Sequence, residues 1–147
     1  MASYTKYLGK INMGNTHITG DIQHINKPAD IVFELFSDFS RFQDKIPEDK
    51  KGQVTLTKDT IIAQAQGMQM GVQVTERQAP SLIVMQQYGT TPFAFTLNLH
   101  LTPAGEGCDL QLELDAELNM MIKMMLGGKL KDFVNQFSEQ LAKRLNQ

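Results

Sequence analysis

The sequence predicts an α+β fold: a curved antiparallel sheet of about seven strands, ordered β-α-α-β-β-β-β-β-β-α, wrapped around a long C-terminal helix. Two observations carry it. The last stretch, Asn119 to Gln147, repeats apolar residues at three- and four-residue steps, and residues 53–118 read as strand, with a period of two in their clearest runs. A third, the parity of the closing hairpin, shows that these strands share one apolar face, whose only large apolar partner is the final helix.

In the closing helix Leu126, Leu130, Phe133, Phe137 and Leu141 form one stripe, flanked by Val134 and Leu145. Polar residues such as Lys131, Asp132, Gln136, Glu139 and Lys143 fill the remainder. The first two turns break that pattern. Met120, Met121, Ile122, Met124, Met125 and Leu126 surround the axis, interrupted only by Lys123. A helix apolar all round is buried all round or meets something besides its own core. The plain expectation is a methionine-rich end of the core; the sharper one is the mouth of a cavity for an apolar ligand. Gly127 and Gly128 cost on the order of 1 kcal/mol each inside a helix, which predicts a kink or a closely packed strand there.

Taken in order, residues 1–15 show no period and are expected to form an N-terminal extension of a single domain spanning 1–147. Thr16–Asn26 alternates, with Ile18, Gly20, Ile22 and, by parity, His24 on one face. Pro28 suits the first position of a helix carrying Ile31, Val32, Leu35 and Phe36. Phe39, Phe42 and Ile46 suggest a second short helix, and Pro47–Gly52 a charged loop. Met68, Met70, Val72 and Val74 alternate with polar or small residues, whereas Thr60–Gln66 has ambiguous parity. In the last hairpin Phe93, Phe95, Leu97, Leu99 and Leu101 must face the same way as Leu110, Leu112, Leu114, Ala116 and Leu118. Paired residue numbers therefore sum to an odd number, met by pairing Pro103 with Cys108 around Ala104–Gly107. The other face holds Asn98, His100, Gln111, Glu113, Asp115 and Glu117, read as solvated rather than catalytic.

A helix of some 25 residues spans nearly 40 Å at about 1.5 Å per residue, more than a ten-residue strand covers. The sheet cannot close on its full length, and space is expected at the methionine end.

Composition narrows the function classes. Hydrophobic content of 41% and charged content of 20% are ordinary for a globular chain. A net charge of −2 with scattered basic residues leaves no footprint for nucleic acid. No window approaches the roughly 18 apolar residues of a membrane span, and the N-terminus lacks the apolar core of a secretory signal. One cysteine, Cys108, fits a reducing compartment, so the cytoplasm is expected.

The order of elements, with KPADIVFELFSDF, VQVTERQAP (Thr75, Glu76, Arg77, Pro80) and ELNMMIKMMLGGKLKDFVNQFSEQLAKRL, resembles the START-like superfamily over about residues 16–146. This group is also called helix-grip or SRPBCC and includes polyketide cyclase-like and lipid-transport proteins. The resemblance implies a hydrophobic cavity between sheet and helix, and no fixed catalytic motif.

His17, His24 and His100 lie far apart in sequence without spaced metal-ligand partners, and no nucleophile-elbow, phosphate-loop or dinucleotide motif occurs. No catalytic residue, cofactor or metal is expected. Polar groups that could point inward are Tyr88, Gln64 or Gln66, and His24. The expected function is non-catalytic binding or transport of a hydrophobic small molecule (lipid, isoprenoid or polyketide-like). The expected lining is Met68, Met70, Val72, Tyr88, Phe93, Phe95, Met121, Met124 and Met125. The alternatives are an interaction module or homodimer built on the helix methionines, and a cyclase- or dehydratase-type enzyme.

Overall fold

The structure is a computed structural model that describes residues 16–65, 67–91 and 93–147. The expected N-terminal extension and Gln66 lie outside the described residues. The strands are β1 (Thr16–Thr19), β2 (Gln23–Ile25), β3 (Val54–Leu56), β4 (Thr60–Ala65), β5 (Met68–Gln78), β6 (Leu82–Gln87), β7 (Ala94–Ala104) and β8 (Gly107–Glu117). Helix α1 covers Ala29–Leu35, and helix α2 covers Met120–Leu145. The sheet is antiparallel, in the order β1-β8-β7-β6-β5-β4-β3, with β2 also on β8.

The closing hairpin follows the parity argument. Leu97 pairs with Leu114, Leu99 with Leu112 and Pro103 with Cys108, and all of these but Pro103 are core residues. Pairing runs one step further than expected, to Ala104 with Gly107, and Gly105 takes the turn at φ 62°.

The first strand is two strands. Register sums along β1 are even (Ile18 with Leu114), whereas along β2 they are odd (Ile25 with Cys108). One extra residue between them inverts the faces. Ile22 is consequently 59% exposed and His24 turns outward to Asp109, while Ile25 is fully buried. The same device acts in β5, where register shifts between Val74 and Glu76 and brings Arg77 opposite the core residue Ile83. Residues 39–53 form two 3-10 turns, Phe39–Lys45 and Glu48–Gln53, in place of an α-helix and a loop. Asp38 caps the first by accepting from the Ser40 amide, and charged ends close the second.

Helix α2 begins at Asn119, whose side chain accepts from the Ile122 amide at 2.9 Å. Asn135 accepts from the Asp21 amide at 2.8 Å. Asn146 holds the far end, accepting from the Asn26 amide at 2.7 Å and donating to the His24 carbonyl at 3.0 Å. These ties set the helix against β1, β2 and β8. The glycine pair does not interrupt it: α2 is continuous, and a Cβ on Gly128 would meet open space. The expected strand packed against Gly128 is absent among the described residues. Gly128→Ala should therefore raise stability by about 1 kcal/mol, read as a higher denaturant midpoint at unchanged slope.

Candidate functional site

Because α2 is tied to β1, β2 and β8, its second half stands off from the rest of the sheet. Between them lies a cavity of about 300 Å³, at the lower end of the ~300–1,000 Å³ usual for small-molecule sites. Met70 and Val72 of β5, Phe95 and Leu97 of β7, and Leu112 and Leu114 of β8 line the sheet side. Phe133, Val134, Phe137 and Leu141 line the helix side, and Phe36, Phe39, Phe42 and Ile46 the third side. Ile61 and Ala63 resolve the ambiguous parity of β4, since they pair with Val72 and Met70 and face inward.

Arg77 holds the third side in place. Its guanidinium donates to Asp59 at 2.8 Å and to the Phe36 carbonyl at 3.0 Å, and lies 5.8 Å from the centre of the Phe39 ring. Phe36 in turn stacks on Phe42 at 5.3 Å. The bulge that turns Arg77 inward therefore positions the aromatic wall, a consequence that a period-two reading of β5 cannot contain.

Of the sequence-predicted lining, Met70, Val72 and Phe95 bound the cavity. Phe93 is buried, 5.7 Å from Phe95 ring to ring, but is not in the lining. The side chain of Met68 lies outside the described set. Tyr88 is 40% exposed, and Met121, Met124 and Met125 are 71%, 83% and 65% exposed, all away from the cavity. The hollow thus sits along the second half of the helix and not at its methionine end, because the ties at Asn135 and Asn146, not the apolar stripe, decide where the helix touches the sheet. Of the polar candidates, Gln64 reaches the rim, bonded to Gln69 at 2.9 Å, and His24 points to solvent. Sequence reasoning missed the phenylalanines of residues 36–42 and the polar rim of Lys45, Lys50, Gln136, Gln140 and Arg144. The spacing of Phe36, Phe39 and Phe42 was the available signal.

The row read as solvated is partly closed. Asn98 and Asp115 are 1% and 4% exposed. His17 lies 2.5 Å from Asp115 and 3.4 Å from Glu113, which also accepts from His100 at 3.0 Å. These rings roof the carboxylates. The bond to Asp115 raises the His17 pKa; burial raises that of Asp115; the bond from His100 lowers that of Glu113. The cluster is on the face of β7 and β8 opposite the core, so it does not reach the cavity. Burial also raises the pKa of Cys108, as suits a small filler thiol.

Among the described residues there is no metal-holding group of His, Cys, Asp and Glu, and no helix long and apolar enough to cross a membrane. No protein-family model matches the chain, and no curated protein matches it in sequence. Solved structures do. Protein Mll3558 from Rhizobium loti superposes at TM-score 0.64 and 15% identity, over 89% of this chain and 97% of its own. A START superfamily protein from Mycobacterium smegmatis gives 0.57 and 17%, over 90% and 95%. The chain has the START-like, helix-grip fold. Norcoclaurine synthase from Thalictrum flavum, in complex with dopamine and hydroxybenzaldehyde, superposes at 0.68 with 9% identity, over 93% of this chain and 88% of its own. These identities speak for fold alone.

Proposed function

We propose that this START-like chain binds and carries a hydrophobic small molecule in the cavity between α2 and the sheet. The observation that supports it is the lining itself: a hollow of about 300 Å³ walled by phenylalanine, leucine, valine and methionine. Apolar contact of roughly 25 cal/mol per Å² supplies the affinity, and Met70 adds a pliant wall. Among the described residues the lining holds no histidine, carboxylate, tyrosine or cysteine, and its two lysines, Lys45 and Lys50, are exposed at the rim. No proton-moving group thus sits within the apolar walls, which favours binding over acid–base turnover. That a neighbour of the same fold, norcoclaurine synthase, is seen in complex with dopamine and hydroxybenzaldehyde accords with a fold that takes up small organic molecules. Native mass spectrometry of protein purified from its own host should show an apolar adduct. Apo protein only, with no uptake from a panel of lipids and aromatics, would contradict the reading.

A second reading rests on the exposed methionines. Met120, Met121, Met124 and Met125 are 65% to 83% exposed on adjoining turns of α2. They suit an apolar contact with a second copy of the chain. Exchange of all four for glutamine, which is as good a helix former, should convert a dimer to a monomer in sedimentation without loss of fold. A parent chain already monomeric at high micromolar concentration would remove this reading.

A further inference from the structure

We propose that the ligand is an amphiphile with an anionic head, carboxylate or phosphate, whose apolar body fills the cavity while Lys45, Lys50 and Arg144 hold the head at the rim. This deepens the hydrophobic-ligand reading and rests on it.

The chain carries more acidic than basic residues, 16 against 14, yet among the described residues no aspartate or glutamate lines the cavity. Among the described residues its only charged lining groups are these three cations. They come from three separate elements: Lys45 from the first 3-10 turn, Lys50 from the second and Arg144 from α2. Two cations near the 3-10 turns are paired, Lys51 on Glu48 at 3.0 Å and Arg41 within 3.7 Å of Glu34. Lys45, Lys50 and Arg144 make no ion pair among the described residues. Each sits in the last turn of its helix, where a cation complements the carbonyl ends. That accounts for each one singly, but not for their convergence on one apolar hollow without a counter-charge. Low-dielectric walls strengthen a one-signed rim, and the arginine fork matches either carboxylate or phosphate oxygens.

Calorimetric titrations with decanoate, decyl phosphate and decanol separate the head from the tail. At low salt either anion, or both, should bind at least tenfold tighter than decanol, and the tighter of the two names the head. In Lys45→Gln/Lys50→Gln/Arg144→Gln that preference should vanish, the anion affinities falling to that of decanol measured on the same variant; Arg144→Lys should retain it. On the parent chain the preference should shrink as salt rises. Equal affinity for all three compounds overturns the head-group proposal and leaves the apolar reading intact. Binding of none overturns both.

Discussion

Gly107→Ala should cost about 3 kcal/mol of folding stability, the upper end of what forced overpacking does. A Cβ at this position would lie 2.1 Å from the Ile25 carbonyl oxygen and 3.2 Å from the His24 ring. The obstacle is backbone, so β2 itself must move. Ile25, fully buried, would leave its place opposite Cys108. The helix would loosen too, because the His24 carbonyl and the Asn26 amide hold Asn146, and Lys27 bonds the Leu145 carbonyl. Equilibrium denaturation checks this, with Gly52→Ala as the control: nothing lies within 4 Å of its added carbon. A change at Gly107 no larger than at Gly52 would show that the β2 corner does not sit where it is described.

Ala63→Trp should weaken binding of a neutral apolar probe such as N-phenyl-1-naphthylamine roughly a hundredfold, about 2.7 kcal/mol. Ala63 is half-buried on β4 opposite Met70, and its side of the strand bounds the hollow. An indole there enters space that the ligand would occupy. Since it fills a void and does not displace packed neighbours, the denaturation midpoint should change little. Unaltered probe affinity would place the binding surface elsewhere on the molecule.

Periodicity made the sheet faces and the rod legible. The rule that odd residues of β7 face even residues of β8 held along the whole hairpin, and the closing stripe formed one uninterrupted helix. What alternation cannot show is an inserted residue. The single extra residue between Thr19 and Gln23 and the shift at Val74–Glu76 each reversed what lay beyond them, sending His24 out and Arg77 in. Nor does a stripe state where along its length a helix meets a sheet. That depends on pairs such as Asp21 with Asn135 and Asn26 with Asn146, separated by more than a hundred residues. So three expected lining residues, Met70, Val72 and Phe95, bound the cavity, while Met121, Met124 and Met125 stand in solvent. The aromatic wall was missed because its placement depends on the inward turn of Arg77.

Methionine ε-methyl labelling places the occupied surface most directly, since the two ends of the molecule carry their own reporters. On titration with decanol, the Met70 methyl should shift saturably while those of Met121, Met124 and Met125 stay still. Shifts confined to the helix methionines, or a motionless Met70 at saturating ligand, would contradict a cavity between the second half of α2 and the sheet.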